Sequence, residues 1–317
     1  MTPAYNGALA MKLTRTLIPG QADARATALT IGNFDGLHRG HQALVTAVLR
    51  HAPALQPALM CFEPLPASLF RPEHPVPRLM AVRDRLEGCR QLGVKQVFMP
   101  RFNRAFAGLS PEDFVKLAIV DAARARAVVV GEDFRFGARA AGDVGLLRQL
   151  GQRYGFAVEV IAPVWGGAEK ISSTRIRSLL AAGQIAAAEQ MLGRPYRLAG
   201  RVLRGQQLGR RLGFPTVNLR PPLPPALAGV FAVRVSGAGL EHRSGVANLG
   251  RRPTVAGLDW LLEAHLFDHD GELYGRHLQV EFVARLRDEE KFDSLDAMVE
   301  QMHRDATLAR QLLTGAA

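Results

Sequence analysis

The sequence predicts two folds in tandem, a parallel α/β domain followed by a small all-β domain closed by a helix. Three observations carry that prediction. The chain has 317 residues, 48% of them apolar, which is enough for a sizeable core but above the comfortable size for a single one. From residue 28 to about 165, short apolar runs alternate with amphipathic segments long enough to be crossover helices. After about residue 190 the pattern changes to β-type alternation punctuated by glycine and proline.

The strands of the first half are Ala28–Ile31, Ala58–Phe62, Val94–Met99, Ala127–Val130 and Ala157–Ile161. They are short and largely non-alternating, as strands covered on both faces are, and segments such as Val82–Leu92 and Pro111–Ala122 supply the covering helices. A helical stretch, Ile176–Leu192, ends this half, so the domains are expected at residues 1–190 and 191–317. In the second half Tyr196–Val202, Val230–Val235, Leu261–Phe267 and His277–Arg285 read as strands, with Pro221, Pro222, Pro224 and Pro225 among the separators. Ser294 to Leu313 reads as a terminal helix, with Leu295, Met298, Val299, Met302, Ala306, Leu308, Ala309 and Leu312 as apolar positions. The first twenty residues carry no informative pattern.

A formal charge of +11 is compatible with nucleic acid, but the arginines are spread along the chain without a lysine-rich tail or interleaved aromatics. Small anionic ligands are the expected users of that field, and nucleic acid is not an expected partner. Cys61 and Cys89 form no pair motif, which argues against a cysteine-rich metal site and for a reducing compartment. The opening MTPAYNGALAMKLTR lacks a basic leader followed by an apolar core, and no apolar run of membrane-spanning length, about 18 residues, occurs. The expectation is a cytoplasmic protein with no membrane partner, monomeric by default.

The stretch GNFDGLHRGHQALV, Gly32–Val45, follows the first apolar run. In open parallel sheets ligands bind beyond the carboxyl ends of the strands, and this segment lies there. Gly32 and Gly36 allow tight backbone passage, and a helix starting around Gly40 offers unpaired N–H groups to an anion. His38 and His41, three apart at that mouth, can direct both imidazoles to one side, where they suit phosphate oxygens or a leaving pyrophosphate. Near the end of the same half comes KISSTRIRSLL, Lys170–Leu180. Ser172, Ser173 or Thr174 can cap a helix there while Arg175 or Arg177 faces an anion. Each motif alone is most simply a loop or a cap; both in one α/β domain read as two phosphate grips on one crevice.

The second half holds GQQLGRRLGFPTVNL, Gly205–Leu219. Thr216 and Asn218 are two apart in extended chain and so share a face, and a hydroxyl with a carboxamide oxygen suits Mg²⁺ carrying nucleotide phosphates. The loop with Gly205, Gly209, Arg210 and Gly213 can close over those phosphates; it lacks the ending of a Walker A loop. Glu263 shares one strand face with His265 and Phe267. A solvated carboxylate, one paired with an arginine, and a proton acceptor are all open to it.

GNFDGLHRGH with ISSTRIR resembles the nucleotidyltransferases that carry HxGH and a hydroxyl-rich second signature, specifically the FMN adenylyltransferase module of bacterial bifunctional riboflavin kinase/FAD synthetases. CFEPLPASLF, Cys61–Phe70, and VGEDFRFGARAAGD, Val130–Asp143, agree with that module. GRRLGFPTVNL and the segments up to Met298 are similar to the riboflavin kinase module. The resemblance implies a Rossmann-like nucleotidyltransferase domain with a parallel sheet, then a small kinase β-barrel with a terminal helix. It implies riboflavin, FMN, FAD and ATP as substrates or products, and Mg²⁺ with the ATP.

By the same resemblance Gly32, Asn33, Phe34, His38, His41, Ser173, Thr174 and Arg175 serve ATP in the first domain. Phe62, Pro64, Asp133 and Phe136 are its flavin-side candidates. Phe136 beside Phe134 can pack on a planar heterocycle, and Asp133 can accept from it or simply start the turn. In the second domain Thr216 and Asn218 match the magnesium-ATP positions and Glu263 the general base. Val217 stands where the family more often has alanine; its side chain alternates away from Thr216 and Asn218. A chain with one degenerate site, or a flavin- or RNA-binding protein, would have no evident use for all four motifs together.

Overall fold

The computed structural model describes residues 11–18, 25–73, 75–204, 209, 212–254 and 257–314. The chain forms two compact units, residues 1–76 with 85–171, and 77–84 with 172–317.

In the first unit the strands are β1 (Lys12–Thr14), β2 (Thr27–Ile31), β3 (Gln56–Met60), β4 (Gln96–Phe98), β5 (Ala125–Gly131) and β6 (Ala157–Ile161). They make one parallel sheet in the order β1-β4-β3-β2-β5-β6. The helices are α1 (Arg39–Leu49), α2 (Pro66–Phe70), α3 (Val82–Gln91), α4 (Arg104–Ala107), α5 (Pro111–Phe114) and α6 (Val144–Tyr154). α5 continues as a π-helical segment over Val115–Ala122, so the segment expected to be one regular helix is wound in two ways. A short hairpin, β7 (Trp165–Gly166) and β8 (Glu169–Lys170), ends the unit.

Alternation along the central strands divides the core. Leu29, Ile31, Met60, Val128 and Val130 face Ile119 of the π-helical segment and Leu147 and Leu150 of α6. Ala28, Ala127 and Val129 face Ala47 and Val48 of α1. Both faces of the sheet are therefore covered, which is why its strands read as unbroken apolar runs. The chain runs outward from β2 through β3 to β4 and then returns to β5 on the other side of β2. That reversal puts a crevice at the carboxyl end of β2, where the GNFDGLHRGH loop emerges.

The second unit begins with α7 (Ser173–Ala181) and α8 (Ile185–Leu192). The helix expected over Ile176–Leu192 is thus broken, because Gly183 takes φ +73 and any side chain there would run into Arg285. These helices pack on each other and α8 packs on the barrel, which groups them with the second compact unit. The barrel strands are β9 (Arg197–Leu203), β10 (Thr216–Leu219), β11 (Gly229–Gly237), β12 (Leu240–Thr254), β13 (Gly257–Leu266) and β14 (His277–Arg287). All pair antiparallel, in the closed order β10-β13-β12-β11-β14-β9. Inside, Phe231 and Phe282 meet edge to face at 5.1 Å. The terminal helix α9 (Leu295–Thr314) lays Ala309 and Leu313 on Ala232 and Phe267. It is pinned by Asp305, which is buried and accepts from Arg287 Nη2 at 2.8 Å.

Candidate active sites

The loop after β2 is held tightly. Phe34 and Leu37 both take positive φ, +50 and +46, a strained conformation for side chains of their size. Burial compensates: Phe34 is fully buried and Leu37 nearly so. His38 caps α1, its Nδ1 accepting from the backbone N–H of His41 at 3.3 Å. The cap makes Nδ1 an acceptor, so in the neutral ring the proton sits on Nε2 and that nitrogen is a donor. The two imidazoles stack, with centroids 3.6 Å apart and planes at 17°, and Phe34 backs His41 at 4.9 Å. Any side chain on Gly40 would press on the His38 ring at 3.2 Å. His38 is buried, so HRGH is not a pair of solvent-exposed histidines. Ile171, whose carbonyl oxygen lies 3.8 Å from where a Cβ on Gly40 would be, is followed directly by the second signature. There Ser172 is the cap of α7, accepting from the Arg175 N–H at 3.2 Å, and Ser173 and Thr174 occupy the first turn. Arg177 donates to the Pro77 carbonyl at 2.6 Å.

The middle residues are distributed unevenly. Phe62 is buried and packs near Phe102 and Phe106 at 5.6 and 5.7 Å, whereas Pro64 is exposed. Exposed Phe70 meets Phe102 at 6.3 Å. Phe136 is buried, stacked on Phe134 at 5.5 Å and 5.7 Å from Phe114, with Gly142 across its ring. Its face is taken up by protein, which leaves the half-buried Phe134 as the more accessible ring of that pair. Asp133 is exposed and bound to Lys170 Nζ at 2.6 Å, a hydrogen bond that holds its carboxyl below the ordinary aspartate range.

In the barrel the site is a matter of register. Asn218 of β10 and Asn248 of β12 lie directly opposite Glu263 of β13, one on each side; two residues along, Thr216 and Val246 flank His265. Directly opposed residues share a face and sit within contact range, so Thr216, Asn218, Asn248, Glu263 and His265 form one patch. His265 Nδ1 lies 2.9 Å from the Pro215 carbonyl oxygen. Glu263 receives Arg252 Nη2 at 3.3 Å, and Arg252 also donates to Glu289 at 2.7 Å. Burial pulls the Arg252 guanidinium down, but its bonds to Glu289 and Glu263 outweigh this and hold it above its usual range. A cavity of about 450 Å³ opens over Thr216, Asn248, Arg252 and Glu263, with Phe214, Phe292, Met298 and Met302 as apolar walls. Gly209 and Gly213 belong to a turn closed by Leu212 and Phe214 N–H bonds to the Gly209 carbonyl at 3.1 and 2.8 Å. Gly205 and Arg210 lie outside the described residues.

Among the described residues no group of three or more His, Cys, Asp or Glu is arranged to hold a metal ion. The carboxamide oxygen of Asn218 is buried without a hydrogen-bond partner among the described residues. With the Thr216 hydroxyl beside it, that donor set fits a hard cation that takes its other oxygens from a ligand.

Two family models match the chain, FAD synthetase over residues 20–175 and Riboflavin kinase over residues 192–313. A bifunctional riboflavin kinase/FMN adenylyltransferase of Escherichia coli (strain K12) is 42% identical over 309 residues, covering 95% of this chain and 97% of that protein. The chain belongs to the bifunctional riboflavin kinase/FMN adenylyltransferase family. Members of this family from Pseudomonas fluorescens and Haemophilus influenzae are 41% and 38% identical, each covering 95% of this chain and 98% of the relative. A solved structure from Streptococcus pneumoniae, named as a macrolide-efflux protein, superposes with a TM-score of 0.80 at 28% identity over 95% of this chain and 99% of its own. That likeness concerns the fold, and the efflux in its name stays with that protein. No helix among the described residues is long and apolar enough to cross a membrane.

For a family member three residues gain interest that their sequence context did not announce. Arg85 is fully buried on α3 and donates to the Asn33 carbonyl at 3.0 Å and to Glu63 at 2.7 Å. It thereby ties the loop after β2 to the loop after β3. The signal was its spacing of four from buried Cys89, which sets both on one helix face. Asn248 and Arg252 sit in GVANLGRRPTV, where alternation puts 248, 250 and 252 on the face of Glu263, but only the cross-strand register reveals it.

Proposed function

We propose that the chain makes FMN from riboflavin and ATP at the barrel, and FAD and pyrophosphate from FMN and ATP at the parallel-sheet unit. The observation that carries this reading is the 42% identity over 95% of the chain with the bifunctional enzyme of Escherichia coli, joined to the presence of both motif sets in one chain.

In the kinase reaction the terminal ribityl hydroxyl oxygen forms a bond to the γ-phosphorus while the bond from that phosphorus to the ADP oxygen breaks. Glu263 accepts the hydroxyl proton. Arg252, paired with Glu263 and Glu289, keeps the carboxylate aimed along the strand face. Thr216 and Asn218 would hold Mg²⁺ carried by the ATP phosphates; when bound, the ion offsets phosphate charge. Gly205, Gly209, Arg210 and Gly213 belong to the loop that covers the phosphates. The apolar walls of the large cavity suit the flavin ring.

In the adenylyl transfer an FMN phosphate oxygen bonds to the α-phosphorus and the bond to pyrophosphate breaks. No proton has to move, so stabilising charge is the whole task. His38 and His41 donate to phosphate oxygens, and Arg175 clamps phosphate with its fork of N–H groups. Gly32 and Asn33 bring backbone close to the nucleotide, while Phe34 acts from beneath by supporting His41. Ser173 and Thr174 offer hydroxyls at a helix start. Phe62, Pro64, Asp133 and Phe136 surround the flavin side, the buried Phe62 and Phe136 by backing the rings nearer the surface.

Incubating the purified protein with riboflavin and ATP, with and without Mg²⁺, and resolving the flavins tests this directly. FMN followed by FAD, only with Mg²⁺, is the expected result. FMN alone would remove the adenylyl-transfer assignment, and no product would remove both.

A further inference from the structure

Glu263 has a carboxamide on each side of it on the same face, and the two border different cavities. Asn218 lines a small cavity of about 70 Å³ with Val202, Glu272 and Tyr274, whereas Asn248 lines the large one with Val230, its opposite neighbour on β11. The Asn248 Oδ1 atom is buried and, among the described residues, has no hydrogen-bond partner. A buried acceptor left unpaired works against folding, and such a group calls for a reason. Leucine has the same branched four-atom outline as asparagine, is bulkier, and would leave no acceptor unpaired at this position.

We propose that Asn248 is a specificity-determining contact of the kinase site, its carboxamide oxygen accepting a hydrogen bond from a ribityl hydroxyl next to the one that is phosphorylated. The inference rests on the kinase reading above and extends it. Direct opposition to Glu263 across β12 and β13 puts the acceptor one strand from the carboxylate that takes the proton. A polyol lying over that pair offers one hydroxyl to each. The reacting hydroxyl is thereby fixed by two points instead of one, and a flavin without the polyol gains nothing from Asn248.

The test is a cycle of side chain against substrate hydroxyl in the full-length protein. KM for riboflavin and Ki for lumiflavin, the same ring without the polyol, are measured in the riboflavin phosphorylation assay for wild type and N248L. Using phosphorylation as the readout keeps flavin bound at any other site out of the comparison. KM for riboflavin should rise about 3- to 10-fold, as for the loss of one neutral hydrogen bond, with Ki for lumiflavin unchanged and kcat changed far less than KM. The melting temperature of the ligand-free variant should hold or rise. Equal weakening of both flavins, or of neither, overturns the proposal, because Asn248 then reads no hydroxyl. Should N248L melt lower than wild type, N248S, which shortens the acceptor and keeps a hydroxyl, is run through the same cycle under the same criteria. A wild-type protein that does not phosphorylate riboflavin defeats the kinase reading itself, whereas a normal wild type with no coupling in the cycle defeats only the role of Asn248.

Discussion

In the parallel-sheet unit the candidate groups come from short continuous stretches: His38 and His41 are three residues apart, and the ring of one caps the helix that carries the other. In the barrel Asn218, Asn248 and Glu263 come from three strands, and nothing but register brings them together. The first kind of site is built by local backbone geometry, so its parts tolerate change elsewhere in the sheet but not in the loop. The second is built by pairing, so a one-residue slip of β13 would carry Glu263 to the other face. The same contrast appears in support. The loop is braced from below by Phe34 and Arg85, whereas the barrel patch is braced along its own surface by Arg252 and Glu289.

The sharpest way to separate the two sites is Glu263→Gln. It keeps the size and the strand, so riboflavin phosphorylation should fall about 10²- to 10⁴-fold while FMN-to-FAD conversion persists, both followed by chromatography on one preparation. Loss of both activities would mean that the sites are not independent. The reciprocal change, His41→Ala, removes a donor used as charge develops and should lower turnover of FAD formation about 10²- to 10³-fold, read by coupled pyrophosphate release, with phosphorylation retained. A normal rate would remove His41 from the mechanism.

Arg85→Met probes the bracing beneath the loop. It removes the buried end of the ion pair with Glu63 and the donor to the Asn33 carbonyl, and should cost about 3 kcal/mol of unfolding stability, measured by urea denaturation. A smaller change falls on the second signature: Arg175→Lys keeps charge but not the planar fork and should weaken FAD synthesis about tenfold, visible in ATP saturation curves. Equal curves would leave that arginine a structural role only.

The smallest expected effect lies at the hairpin contact between Asp133 and Lys170. Because the folded aspartate titrates below its unfolded value, its contribution is present above the unfolded value and fades as pH falls through the folded one. An NMR titration should find the Asp133 midpoint below that of an ordinary aspartate, and Lys170→Met should return it. Both residues are exposed, so the effect on stability is slight.

Much of this was legible in advance where interactions are local. The buried strands of the sheet, the helix start at HRGH and the cap in ISSTR all depend on a few neighbouring residues, and each lies within a residue or two of its expected position. Phe136 shows the limit. Its motif marks an aromatic turn, but whether the ring faces a ligand or the core depends on Phe114 and Gly142, which occupy its surroundings. The strand over Leu240–Thr254 was also hard to see, since glycines and arginines interrupt its alternation.

The sequence by itself determined the order of the two folds, the helix starts at HRGH and ISSTR and the shared strand face of Thr216 and Asn218, because periodicity and turn chemistry act over a few residues. Only the tertiary structure decided that Asn248 stands across from Glu263, that Arg85 is buried beneath the loop after β2 and that His38 lies inside the protein instead of on its surface. Those facts depend on strand register and on which helix face meets the sheet, which are set by packing between residues far apart in the chain.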